Sequence, residues 1–215
     1  MYKHFIFDID GTLIDTESTG ILSLIRTIKE LMGIEMPYDE AYKYFGIPSG
    51  KVAPMLGFAD GELFGHRWEE NFVELQYLTK PFDGVEKALL LLKERGKYLG
   101  CVTSRNRYEL GKDPHMQKLN PLFDQIICAE DTEKHKPDPE PVLEYMRKME
   151  NQTGEKVLPE ECLYLGDTIY DFKCGNGAGC DFALADWKNR GFQNIPAIFK
   201  FSTAAELAEK TGITL

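Results

Sequence analysis

The sequence is short of several things, and each shortage removes a class of function. Its longest apolar runs, such as Ala88 to Leu92, stop far below the roughly 20 residues of a membrane-crossing helix. Basic residues are outnumbered, with Lys+Arg 25 against Asp+Glu 35 and a net charge of -10. No nucleic-acid partner and no membrane partner are therefore expected. The four histidines, His4, His66, His115 and His135, are scattered and form no metal-ligating cluster. The five cysteines, Cys101, Cys128, Cys162, Cys174 and Cys180, lack the paired spacing of a metal site. Cys101, Cys128 and Cys162 fall inside apolar, strand-like runs, where the expected role is that of a small core residue. An odd cysteine count, with no basic-then-apolar leader pattern after Met1, makes a reducing, cytoplasmic setting the expectation. Internal repeats and low-complexity linkers are absent too.

What is present has an ordinary globular balance. With 43% hydrophobic and 28% charged residues over 215 positions, the chain suits one large domain or a core with a modest insertion. Glu17 to Met32 carries Ile21, Leu24, Ile25, Ile28, Leu31 and Met32 at helical spacing, with Thr16 or Ser18 as N-cap and Gly33 as the stop. Tyr38 to Phe45 and Ser49 to Leu56 read as short helices broken at Gly46-Ile47-Pro48. Asp60 to Leu78 reads as an amphipathic helix with Phe64, Trp68, Phe72 and Leu75 on one stripe, most simply core. From Pro81 the pattern becomes strand and helix in alternation. Helices are expected at Val85 to Arg95 and Pro139 to Met149, and strands at Tyr98 to Val102, Gln125 to Ala129, Cys162 to Leu165 and Phe182 to Leu184. Near-continuous apolar strands between helices predict an α/β fold, a doubly wound parallel sheet. The expected domains are a core of residues 1–15 and 81–215 with an all-helical insertion over 16–80.

Four segments place polar residues just beyond an apolar strand. In Phe5-Ile6-Phe7-Asp8-Ile9-Asp10-Gly11-Thr12, period-two geometry puts Asp8 and Asp10 on one side of the strand end, and Gly11 permits a sharp turn. Two carboxylates that close require a cation or a shared proton, which suits metal-assisted phosphoryl transfer with one nucleophile and one acid. A hairpin turn at Asp10-Gly11 is the simpler alternative. Thr103-Ser104 offers a hydroxyl pair suited to phosphate oxygens, or a helix N-cap. Lys136-Pro137-Asp138-Pro139-Glu140 holds a lysine at a rigid turn, or a solvated surface charge. Gly166-Asp167-Thr168-Ile169-Tyr170-Asp171 adds two acids after a strand, or a capped loop. The four in this order are far more specific than any one.

Together these motifs resemble those of the haloacid dehalogenase superfamily over essentially the whole chain, with the insertion similar to that family's small cap. The resemblance implies Asp8 as the nucleophile that forms a phosphoaspartyl intermediate, and Asp10 as the acid that protonates the leaving group and then activates water. Thr103, with Ser104 adjacent, would bind phosphoryl oxygens, and Lys136 would neutralise Asp8 and the substrate. Mg²⁺ would be held by Asp8, Asp167 and the backbone carbonyl of Asp10, with Asp171 orienting Lys136 or a metal-bound water. Three acids and no His or Cys ligand agree with Mg²⁺ chemistry. A second acid two residues after the nucleophile argues against a true dehalogenase. The subgroup most resembled is that of phosphoglycolate phosphatases, whose specificity loop is similar to Gly46-Ile47-Pro48-Ser49. β-Phosphoglucomutases share the same four motifs, so the resemblance also implies an alternative function, a sugar-phosphate mutase; the mutase-like members carry a histidine shortly after the first motif, where Thr16 to Gly20 has none. The expected substrate is a small phosphorylated metabolite, hydrolysed by a monomer or weak homodimer. One departure is local: Gly111, Asp113 and Pro114 interrupt the segment Arg105 to Lys118 where relatives usually run a helix.

Overall fold

The computed structural model describes residues 2–45, 47, 49–189 and 194–210; Gly46 and Pro48 of the expected specificity loop lie outside them. In chain order the first elements are β1 (His4–Phe7), β2 (Ile14–Asp15), α1 (Glu17–Met32), α2 (Tyr38–Ala41), α3 (Ser49–Met55), α4 (Gly61–Leu75) and β3 (Lys80–Pro81). Next come α5 (Val85–Glu94), β4 (Tyr98–Val102), α6 (Arg107–Lys112), α7 (Pro114–Leu119), β5 (Gln125–Ile127) and α8 (Glu140–Thr153). The chain continues through β6 (Cys162–Gly166), α9 (Ile169–Gly177), β7 (Asp181–Ala185), β8 (Phe199–Phe201) and α10 (Ala205–Lys210). Two compact units result, Met1–Ile14 with Pro81–Leu215, and Asp15–Lys80.

In the larger unit six strands form one parallel sheet in the order β5-β4-β1-β6-β7-β8. Alternate residues of each strand feed opposite cores, which is why the strands read as unbroken apolar runs. Phe5, Phe7, Leu99, Cys101, Leu163 and Leu165 pack on one face with Leu89 and Leu92 of α5. Ile6, Val102, Tyr164 and Phe182 pack on the other with Val142, Tyr145 and Met149 of α8. This is the doubly wound architecture expected. From β1 the chain builds outward through β4 and β5, then returns to lay β6 on the other side of β1. The carboxyl ends of β1 and β6 thus flank a topological switch point, the place where such sheets bind ligands.

The opening strand is shorter than its apolar pattern. It ends at Phe7, so Asp8 and Asp10 lie in the following loop and not on the strand. Asp8 still extends the ladder by one bond, its N–H donating to the Leu165 carbonyl at 2.9 Å. The loop then winds around the Ile9 carbonyl, which accepts from Thr12, Leu13 and Ile14 at 3.2, 2.8 and 2.9 Å. Gly11 takes φ +83°, the left-handed region that a side chain disfavours. The turn is real, but β1 has only parallel neighbours, so it is no hairpin. Farther on, the expected strand over 125–129 stops at Ile127, and Ala129–Asp131 forms a 3₁₀ turn.

The smaller unit is helical. Ile21, Leu24 and Ile28 of α1 meet Val52 and Ala53 of α3 and Phe64 of α4 in its core. Of the α4 stripe, Phe64 is buried, and the Trp68 indole N–H donates to Ser23 Oγ at 2.9 Å. Asp60 caps α4 by accepting from the Leu63 N–H at 2.9 Å, and Gly33 ends α1 at φ +69°. The Thr16 side chain makes no cap bond to α1.

Candidate active site

Two of the four motifs meet at the ends of β1 and β6, and the loop before α8 brings a lysine to them. The buried Lys136 ammonium donates to Asp8 Oδ1 at 2.6 Å and to Asp171 Oδ1 at 2.8 Å. Asp171 is fixed from its own helix: its Oδ2 accepts from the Thr168 hydroxyl at 2.6 Å and the Thr168 N–H at 3.0 Å. Thr168 and Asp171 form the capping box of α9, so the capped-loop reading and the functional one describe the same residues. Tyr164 Oη donates to Asp171 Oδ1 at 3.2 Å, and the ammonium lies 5.5 Å from the Tyr164 ring centroid. Carboxylate oxygens of Asp8, Asp167 and Asp171, all buried, lie within 4.8 Å of one another. Glycines allow this crowding. A Cβ on Gly11 would come within 2.2 Å of Asp167 Oδ2, and one on Gly166 within 2.4 Å of Asp171 Cβ.

One ammonium cannot balance three buried carboxylates. Burial pushes the Asp8 carboxyl up, to about 7; the Lys136 charge pulls it down, and Asp171 and Asp10 push it further up. Burial likewise disfavours the charged Lys136, but Asp171 and Asp8 together carry it well above its usual value. The cluster therefore keeps its ammonium and calls for more positive charge.

Asp10 has different company. Its half-exposed carboxylate accepts from both arms of the Arg105 guanidinium, Nε to Oδ2 at 2.9 Å and Nη2 to Oδ1 at 2.7 Å. The third nitrogen, Nη1, donates to Asp113 Oδ2 at 2.7 Å. Asp113 is fully buried, and its other oxygen caps α7 by accepting from the N–H groups of His115 and Met116 at 2.8 and 3.1 Å. Burial opposes the Arg105 charge, and the two carboxylates more than restore it. Thr103 is buried at the end of β4, and its Oγ1 accepts from the Arg105 N–H at 3.1 Å; Ser104 beside it is exposed. His135, next to Lys136, is exposed.

Arg105, Asp113, Tyr164 and Thr168 are site residues that the motif reading did not assign. Asp113-Pro114 does carry a local signal, an N-cap acid before a proline at the first helical position. Nothing local connects that cap to an arginine or the arginine to Asp10.

The model of the family described as haloacid dehalogenase-like hydrolase matches residues 5–185. A phosphoglycolate phosphatase of Aquifex aeolicus is 34% identical over 192 residues, covering 85% of this chain and 84% of its own. A protein provisionally named pyrophosphatase PpaX, from Caldanaerobacter subterraneus subsp. tengcongensis, is 31% identical over 189 residues, covering 87% and 83%. Among solved structures, a protein provisionally named phosphoglycolate phosphatase from Lactobacillus plantarum superposes with a TM-score of 0.87 at 25% identity, covering 97% of this chain and 99% of its own. With the four motifs on one doubly wound sheet and these relatives alongside, the chain belongs to the haloacid dehalogenase-like hydrolases, as one of the family's phosphatases.

Proposed function

We propose that the chain is a Mg²⁺-dependent phosphatase that releases phosphate from a small phosphorylated metabolite through a phosphoaspartyl intermediate on Asp8. The observation that carries this reading is the single buried ammonium shared by Asp8 and Asp171 beside a third acid, Asp167. An all-oxygen donor set with excess negative charge fits a hard divalent cation, and the absence of a side chain at Gly11 lets the Asp167 carboxylate lie against the first loop, where a Cβ would collide with it. Asp8, Asp167 and the Asp10 carbonyl would hold Mg²⁺, which when bound supplies the positive charge that lets a phosphate dianion approach a carboxylate.

The chain's own groups then divide the work. Lys136 screens Asp8 and the equatorial oxygens, and Thr103 with Ser104 binds those oxygens. An Asp8 oxygen attacks phosphorus, the ester P–O bond breaks, and the leaving oxygen takes a proton from Asp10. Water next attacks phosphorus and gives its proton to Asp10, while the P–O bond to Asp8 breaks and the electron pair returns to the carboxylate. Water is the acceptor, in keeping with the lack of a histidine among Thr16 to Gly20. The helical unit of residues 15–80 takes the part of the family's cap, which chooses the substrate. Among the described residues no helix is long and apolar enough to cross a membrane. The enzyme is read as cytoplasmic, and as a monomer or weak homodimer.

The test is a panel of phosphorylated metabolites, phosphoglycolate and pyrophosphate first among them, assayed for phosphate release with Mg²⁺ and with excess chelator. Release that requires Mg²⁺ supports the proposal. Full activity in chelator, or transfer of the phosphoryl group only to a second sugar, contradicts it.

A further inference from the structure

The helix break lies at Asp113-Pro114, with Gly111 inside α6 instead of interrupting it, and the break joins Arg105 to the first motif. We propose that Arg105, braced by Asp113, is a positioning residue that holds Asp10 in the orientation from which it takes the proton of the attacking water. The inference rests on the reading above, in which Asp10 is acid and base.

Three features carry it. Asp10 sits in a loop and its side chain is 38% exposed, so its own packing does not fix its two torsions. Two N–H···O bonds from one planar guanidinium, one to each carboxylate oxygen, do fix them. The guanidinium itself is held: it is 4% exposed and tied to Asp113, which is 0% exposed and anchored to two backbone N–H groups of α7. Finally, the break is what makes the brace. At φ -77° and ψ 110° Asp113 is extended, ending α6 and capping α7, whereas a continuous helix would have no cap there. Lysine at position 105 would offer a point charge without the fork.

A purely architectural ion pair is the competing explanation, and leaving-group dependence separates the two. p-Nitrophenolate departs without a proton, so formation of the phosphoenzyme from p-nitrophenyl phosphate does not need Asp10, while its hydrolysis does. The experiment is stopped-flow release of nitrophenolate, with Mg²⁺, by wild type, R105M, R105K and D10N. R105M is expected to release a burst at close to the wild-type rate and then turn over about 10- to 100-fold more slowly. D10N is expected to give the same burst with a deeper loss, ~10²- to 10⁴-fold, and R105K to fall between R105M and wild type. The double variant R105M/D113N leaves no buried unpaired carboxylate and retains an Asn cap, and it should behave like R105M even where R105M folds poorly. Post-burst turnover of R105M or the double variant at or above the wild-type rate overturns the inference. So does loss of burst and turnover together in step with the folded fraction. Failure of the underlying reading looks different: D10N then shows no slowed phase, or wild type releases no phosphate from either p-nitrophenyl phosphate or acetyl phosphate.

Discussion

Asp8 and Asp10 are two residues apart and end in opposite surroundings, one on a lysine and the other on an arginine. On the lysine side, one compact charge faces three buried carboxylates, and burial first, then the neighbouring acids, drive the carboxyl of Asp8 upward against the pull of Lys136. On the arginine side, one planar fork faces two carboxylates, and every nitrogen of the guanidinium has an oxygen within 2.9 Å. The first arrangement is short of charge and suits a site that takes up a cation and a phosphate. The second is saturated and suits a group that must be aimed. Lysine and arginine are not interchangeable here, because a point charge neutralises and a fork orients.

The largest effect should come from the lysine side. Asp8→Asn keeps the size of the side chain and removes the nucleophile, so phosphate release should fall by on the order of 10⁴-fold or more in a steady-state assay. Appreciable turnover by a clean preparation would erase the distinction between the two acids. Lys136→Met should destabilise the fold by about 3–5 kcal/mol in urea denaturation, because it strands buried carboxylates. A loss below ~1 kcal/mol would mean that the cluster is already neutral.

Proton linkage sharpens the contrast. With the Asp8 carboxyl at about 7 in the folded, metal-free protein and near 3.9 when unfolded, the folded state binds the extra proton between those values. Stability from this group is therefore highest below the unfolded value and declines as pH rises toward 7. Mg²⁺ should offset that decline, raising the melting temperature more at pH 8 than at pH 5.5. At a hundredfold excess over Kd it should stabilise by about 2.7 kcal/mol. An equal shift at both pH values would place the metal elsewhere. The smallest effect is expected from Gly11→Ala, about 1–3 kcal/mol of strain from a Cβ aimed at Asp167, read as weaker Mg²⁺ activation of phosphate release.

Much of this was legible in the residues. Parallel strands buried on both faces produce unbroken apolar runs, so β4, β6 and β7 announce themselves, and the polar residues that follow β1, β4 and β6 mark the sheet's working edge. The end of β1 was not legible, because Ile9 is fully buried from the loop and prolongs the apolar pattern past Phe7. Strand β8 carries only three residues and α10 only six, too short for a period to show. The arginine side was hidden for a different reason. Asp113-Pro114 is readable as a helix start, but its partner Arg105 grips an acid 95 residues away in sequence, and spacing cannot reveal a through-space bond.

The central claim is that phosphate passes through Asp8, and it is tested most directly on Asp10→Asn, where breakdown of the intermediate is slow. The protein is acid-quenched during turnover of p-nitrophenyl phosphate with Mg²⁺ and its peptides are weighed by mass spectrometry. One phosphate is expected on the peptide that contains Asp8, absent from the Asp8→Asn protein treated in the same way. An unmodified Asp8 peptide during steady phosphate release would contradict it.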